Sequence, residues 1–264
     1  MARVIDIYRC LDGKATFELQ MSFDNSGFLV GRGDREVQRV MAALDITEAV
    51  VEEAAEKDCQ LIVSHHPIIF HPAKSITDKE PVGRCLLSLV EHGIAAICAH
   101  TNLDAVAGGV NDALARVLGL EKVKLLREEG VDANGQAYGI GRMGEVSGFS
   151  DAASFAQFVK QTLKVSGLRL EDAGRPVRQV AVGGGACGDL LEMVAARGCD
   201  TFVTSDVKYN VFLDARAMGV NLIDAGHFST ENVVCPVLAQ WITEGFPELK
   251  VFLSTEHREI FTGI

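Results

Sequence analysis

Asp58-Cys-Gln-Leu-Ile-Val-Ser64-His65-His66 and Gly198-Cys-Asp-Thr-Phe-Val-Thr204-Ser205-Asp206 share one pattern: a cysteine, a short apolar run and a polar tip, each reached from a helical segment. Both are followed by a second match. Gly93-Ile-Ala-Ala-Ile-Cys-Ala99-His100 comes after the first, and Gly219-Val-Asn-Leu-Ile-Asp-Ala225-Gly226-His227 after the second. Helix, cysteine, strand, polar tip, helix, glycine, strand, alanine and polar tip thus occur twice in one order, which reads as a duplicated α/β unit. A boundary near residue 124 follows, giving units 1–124 and 125–264.

Outward from these stretches, apolar periodicity predicts the neighbouring elements. Arg35–Lys57 has helical spacing (Val37, Val40, Met41, Leu44, then Val50, Val51, Ala54) and predicts two helices divided near Asp45. Further helices are predicted over Pro81–His92, Gly109–Leu118, Ser150–Val165, Asp189–Arg197 and Glu231–Thr243, and strands over Leu61–Val63, Ile94–Cys98, Val180–Val182, Thr201–Val203 and Asn221–Ile223. Strands alternating with helices imply a mainly parallel sheet covered on both faces. Open sheets of this kind place functional groups just past the carboxyl ends of their strands, where the polar tips fall.

The bulk numbers narrow the functional classes. The 264-residue chain is 48% hydrophobic and 23% charged, enough for a sizeable core. A net charge of -11 argues against direct nucleic-acid binding, which needs clustered Lys and Arg. No apolar run approaches the roughly 20 residues of a membrane span. The seven scattered cysteines read as buried reduced thiols, and the expected setting is the cytoplasm.

Three clusters carry the chemistry. Val63-Ser-His65-His66-Pro67 places adjacent histidines after a strand; in an extended segment they point to opposite sides and suit two metals better than one. Ala99-His100-Thr-Asn-Leu-Asp104 offers a carboxylate able to bridge two cations, with His100 as its hydrogen-bonding partner, a proton carrier or a substrate contact. Asp224-Ala-Gly226-His227-Phe-Ser-Thr-Glu231 puts an imidazole and a carboxylate four residues apart at a strand-to-helix junction. Each has a bland alternative: core or capping histidines, a turn aspartate, and a first-turn acid compensating the helix dipole. Together His65, His66, Asp104, His227 and Glu231 supply three imidazoles and two carboxylates, a set suited to two divalent ions of zinc, manganese or iron.

Two loops are candidate substrate contacts: Phe23-Asp24-Asn25-Ser26-Gly27, through Asp24 and Asn25, and Thr204-Ser-Asp206-Val-Lys208-Tyr209, through Lys208 and Tyr209. His100 and Asp206 are candidate acid–base groups. Gly183-Gly-Gly185-Ala-Cys-Gly188 fits a dinucleotide-binding glycine motif, although Asp189 at the following helix start would repel a pyrophosphate. A tight turn or an anion pocket accounts for it as well.

The ordered set Ser64-His65-His66-Pro-Ile-Ile-Phe70, Lys74-Ser-Ile76, His100-Thr-Asn-Leu-Asp104, Gly108-Gly-Val-Asn111-Asp112, Gly183-Gly-Gly185, Thr204-Ser-Asp206 and Gly226-His-Phe-Ser-Thr-Glu231 resembles the NIF-three-like family. Its members are also called dinuclear metal centre proteins or GTP cyclohydrolase 1 type 2 homologues. The resemblance runs from about Asp24 to the C-terminus. It implies two similar α/β domains related by a pseudo-two-fold duplication, a mixed sheet, a cleft between the domains holding two divalent metals on the same five ligands, and a ring-shaped homohexamer. Phe23 stands where the family usually has Trp, and the short Lys122–Ser150 connection leaves no room for the large insertion many relatives carry. The function expected is that of a metal-dependent hydrolase acting on a GTP-like nucleotide, a phosphoester or an amide. The rivals are a non-enzymatic metal-delivery or regulatory protein and a nicotinamide-dependent oxidoreductase.

Overall fold

The computed structural model describes residues 1–262. In chain order the first elements are α1 (Val4–Lys14), β1 (Gly27–Val30), β2 (Arg39–Ala43), α2 (Glu48–Glu56), β3 (Leu61–Ser64), α3 (Pro81–Glu91), β4 (Ala95–Cys98) and α4 (Thr101–Ala105). Then come α5 (Val110–Val117), β5 (Glu121–Val131), β6 (Ala137–Glu145), α6 (Ala152–Thr162), β7 (Arg169–Glu171), β8 (Gln179–Val182) and α7 (Leu191–Ala196). The chain continues through β9 (Thr201–Thr204), α8 (Tyr209–Met218), β10 (Asn221–Asp224) and α9 (His227–Glu231), and closes with α10 (Cys235–Gly245) and β11 (Lys250–Leu253).

The chain forms two compact α/β units, each with its own mixed sheet. One comprises Met1–Leu103 with Val234–Arg258, the other Asp104–Val233 with the tail that begins at Glu259. The first sheet runs β1-β4-β3-β2-β11 and the second β5-β6-β8-β9-β10-β7. Within each, three consecutive parallel strands end in an antiparallel edge: β2, β3 and β4 with β1, and β8, β9 and β10 with β7. The registers match too, since Ser64 lies opposite Cys98 and Thr204 opposite Asp224. The duplication read from the cysteine-strand-tip pattern is therefore a duplication of sheet order.

In the first unit Met41, Ala43, Ile62 and Ala96 pack with Val50, Val51 and Ala54 of α2 and Leu86 and Leu89 of α3. The alternate residues Val40, Ala42, Leu61 and Val63 are also fully buried, so both sheet faces are covered. This explains a corrected expectation. The segment from Arg35 was predicted to be helical, but Arg39–Ala43 is the strand β2, held between β3 and β11. A strand buried on both faces shows a continuous apolar run, which periodicity alone does not distinguish from a helix. Only the second half, α2, is helical, begun by Thr47, whose hydroxyl accepts the Val50 amide at 3.3 Å.

In the second unit Val180, Val182, Val203 and Ile223 pack with Leu114 of α5 and with Phe155 and Val159 of α6. The short Lys122–Ser150 connection, for which the sequence predicted no element, is mostly a hairpin, β5 with β6, turned at Asp132, whose carboxylate accepts the amides of Asn134 and Gln136. The predicted helix from Glu231 breaks at its start, because α9 ends at Glu231 and a 3₁₀ turn over Asn232–Val234 leads into α10.

Burial pushes the Cys59 and Cys199 thiols up to about 11 and the Cys98 thiol up to about 12, which keeps them protonated at neutral pH. Among the described residues no helix is long and apolar enough to cross a membrane.

Glu53 fastens the C-terminal segment to α2. Its buried carboxylate takes the Lys57 ammonium at 2.9 Å, the Ser254 hydroxyl at 2.5 Å, and the Thr255 hydroxyl and amide at 2.7 and 3.0 Å. Burial alone would raise its pKa, but these donors outweigh burial and hold it at about 2, against an ordinary 4.5. A depressed carboxylate stabilises the fold above its unfolded pKa and loses that contribution as pH falls toward the folded one. We expect Glu53→Gln to cost on the order of 3 kcal/mol at neutral pH. The gap in melting temperature between it and the wild type should shrink between pH 4.5 and about 2. Thermal melts across that range check this, and a gap independent of pH would refute it.

Candidate metal centre

The first unit gathers three histidines at the carboxyl ends of β3 and β4. The rings of His65 and His66 are 5.0 Å apart, those of His65 and His100 5.2 Å, and those of His66 and His100 5.5 Å. Ligand nitrogens of all three lie within 4.8 Å of one another, close enough to share a cation. The expected opposite pointing of His65 and His66 does not occur, since their ring centroids lie only 5.0 Å apart and their ligand atoms within 4.8 Å. The chain leaves the strand at Ser64, whose hydroxyl donates to the His66 carbonyl at 2.8 Å, and the His66 amide donates to the Leu44 carbonyl. That bend cancels the alternation an extended segment would impose.

Each ring is oriented through Nδ1. His65 Nδ1 lies 2.8 Å from the Ala99 carbonyl, His66 Nδ1 2.7 Å from Asp45 Oδ1, and His100 Nδ1 2.8 Å from Asp24 Oδ1. A carbonyl oxygen only accepts, so His65 Nδ1 carries the proton and Nε2 the lone pair. Carboxylate partners favour the same tautomer, the usual arrangement behind metal-binding histidines. Sequence reading passed over Asp45, taking it for a helix break, although it too follows the carboxyl end of a strand.

Asp24 is the hub of the N-terminal loop. It accepts from His100, from the Thr101 amide at 3.0 Å and hydroxyl at 2.5 Å, and from the Ser26 hydroxyl at 2.9 Å. Burial would raise its pKa, but the His100 and Thr101 bonds outweigh that and hold the carboxyl well below the usual range. The side chain has no exposed surface, and the amide of Asn25 donates to the Ile69 carbonyl. Both residues expected to touch substrate hold loops in place.

In the second unit the same posture recurs. His227 Nδ1 lies 2.7 Å from Asp206 Oδ2, while Nε2 lies 3.0 Å from Glu231 Oε2. With the proton on Nδ1, two lone pairs would face each other across that gap, which is favourable only with a proton or a metal cation beside them. Asp206 reaches His227 from a left-handed backbone (φ 51°), a conformation few non-glycine residues adopt. Lys208 and Tyr209 are exposed at the start of α8.

Asp104 sits in the turn of α4. Its carbonyl accepts from Asn111 Nδ2 at 2.9 Å, and Asn111 Oδ1 accepts the Gly184 amide at 3.0 Å. Asn111 thereby joins the Asp104 turn to the glycine loop, a long-range bond that no spacing rule reveals. The loop makes room for Glu231: a Cβ on Gly185 would lie 2.1 Å from Glu231 Oε1. Its amides are already used, Gly183 on the Val203 carbonyl, Gly185 on the Thr230 hydroxyl and Cys187 on the Thr204 hydroxyl. With Gly184 on Asn111, the amides of all three consecutive glycines are engaged within the protein, which withholds them from a pyrophosphate and favours the tight-turn reading of the loop. Burial, and after it the charges of Asp104, Asp189 and Glu231, push the Cys187 thiol far up, which keeps it protonated at neutral pH.

The His, Asp and Glu donors of these groups could thus hold a metal ion. The family model described as Duf34/NIF3 (NGG1p interacting factor 3) matches residues 2–259. The chain is 31% identical over 261 residues to a Clostridium perfringens protein called GTP cyclohydrolase 1 type 2 homolog, covering 98% of each. It is 34% identical over 230 residues to a Clostridium acetobutylicum protein of the same name, covering 87% of this chain and 85% of that one. Among solved structures, a hypothetical protein of Staphylococcus aureus superposes with a TM-score of 0.91 at 31% identity, covering 99% of each chain. A Bacillus cereus protein related to NIF3 superposes at 0.93 with 24% identity, covering 100% of this chain and 99% of that one, and shares the fold.

Proposed function

This chain belongs to the Duf34/NIF3 family, and from that membership and the histidine geometry we propose that it is a dinuclear metal-dependent hydrolase. His65, His66, Asp104, His227 and Glu231 would hold two divalent ions of the zinc, manganese or iron class. The observation that carries this reading is the common posture of the ring nitrogens: at His65, His66 and His227, Nδ1 is fixed by an oxygen, which favours the tautomer with its lone pair on Nε2. Five donors exceed what one four-coordinate ion takes, which supports two. Such ions would supply Lewis acidity and a water of lowered pKa.

Around them the protein's own groups have distinct tasks. His100, held through Nδ1 by Asp24 and packed against His65 and His66, would take or return a proton at Nε2. Asp206 keeps His227 in its metal-binding tautomer. Lys208 and Tyr209, exposed beyond it, would meet an anionic substrate. The name shared by the clostridial relatives makes GTP, opened by water at its imidazole ring, the first substrate to try, ahead of other phosphoesters and amides. A ring-shaped homohexamer working in the cytoplasm belongs to the same proposal.

Elemental analysis of the purified protein tests it, beside His66→Ala and Glu231→Ala. About two equivalents of metal are expected in the parent, with at least half lost in each variant. Full metal content in both would overturn the site. Absence of turnover on GTP, phosphoesters and amides by the fully loaded protein would overturn the hydrolase and leave a metal-holding protein.

A further inference from the structure

Phe23 is 62% exposed and Phe70 38%, large apolar rings open to solvent on the first unit. Their centroids are 6.4 Å apart with planes at 62°, and Phe70 also meets the edge of His100 at 6.1 Å and 81°. They adjoin the histidine trio rather than standing at random on the surface.

The corner is built and held. Asn25 Nδ2 donates to the Ile69 carbonyl at 2.5 Å, stapling the loop of Phe23 to the loop of Phe70. Beneath them Asp24 is anchored by His100, Thr101 and Ser26. Two rings at 62° do not stack on each other. Both are open to solvent, so a third flat ring can pack against them face-on or edge-on, the geometries aromatic groups favour. His71, exposed and 4.8 Å from Phe70, and His100 border the corner with nitrogens able to meet ring heteroatoms.

We propose that the Phe23–Phe70 corner is a recognition subsite for a flat, nitrogen-bearing aromatic ring of nucleobase type, seating it beside His65, His66 and His100. The subsite rests on the hydrolase reading only for what happens to the ring once bound. Stacking accepts any nucleobase face, so it sets the class of substrate while the neighbouring nitrogens set the choice within it.

Calorimetric titration of the whole protein, with metal and after its removal, tests this, using GTP and inorganic tripolyphosphate as probes. GTP is expected to bind at least about tenfold more tightly than tripolyphosphate. Phe23→Leu and Phe70→Leu should each reduce that preference by at least about fivefold. Phe23→Trp should retain it, and tripolyphosphate affinity and oligomeric state should not move. Both phenylalanines are exposed, so the variants keep the fold. Equal binding of the two probes by the parent, or unchanged preference in both leucine variants, overturns the subsite. A change of oligomeric state in the leucine variants also overturns it, because the rings would then be a contact between copies. Base-dependent binding by stripped protein that hydrolyses nothing when loaded would sink the hydrolase and leave the subsite standing.

Discussion

Gly185→Ala is expected to weaken metal binding tenfold or more and to destabilise the fold by about 2–4 kcal/mol. The added methyl would sit 2.1 Å from Glu231 Oε1 and 3.4 Å from His227 Cε1, on a backbone at φ +67° that L side chains rarely adopt. Backbone strain accounts for roughly 1–2 kcal/mol. The rest comes from moving Glu231, which is almost fully buried and has little freedom to yield. Gly188→Ala is the control, since its methyl would find nothing nearer than Val211 Cγ1 at 3.8 Å. Metal content and melting temperature, measured on both, separate the outcomes. If Gly185→Ala binds metal and melts as the parent does, Glu231 is not seated against this loop.

Arg142→Met is expected to lower the unfolding free energy by about 3–5 kcal/mol. The guanidinium is 4% exposed and every nitrogen is engaged. It holds both oxygens of Asp112 at 2.9 and 3.1 Å, and the carbonyls of Gly139, Gly141 and Val106 at 2.9, 3.0 and 2.9 Å. Met matches the stem but donates nothing, so Asp112 loses its counter-charge and buried carbonyls lose their donors. Asp112 keeps the Gly108 amide at 2.7 Å and some solvent contact, which places the effect toward the lower end. Denaturant midpoints measure the loss, and adding Asp112→Asn should recover part of it. A shift below about 1 kcal/mol would mean the pair is not buried as described.

What the sequence revealed and concealed divides along physical lines. The histidines and carboxylates were legible because each stands where a short apolar run stops, and strand ends in α/β sheets are where polar side chains converge. Helices α3, α5 and α6 were legible from their spacing and boundary residues. Strand β2 was hidden by burial on both faces, and β5 by a mostly exposed, charged composition that shows no alternation. Asp45, Asn111 and Thr230 were hidden for another reason. Each acts through a bond to a residue far along the chain, and local spacing carries no trace of such a partner.

The return of the chain to its first sheet has a consequence for synthesis. Strand β11 completes that sheet by pairing with β2, more than two hundred residues upstream. During translation the second sheet has all its strands once residue 224 has emerged, while β2 still shows an open edge of unpaired amides and carbonyls. The unit begun first is therefore the one finished last. Its exposed edge, waiting through the whole of the intervening segment, is where a nascent chain would be most open to mispairing with another copy.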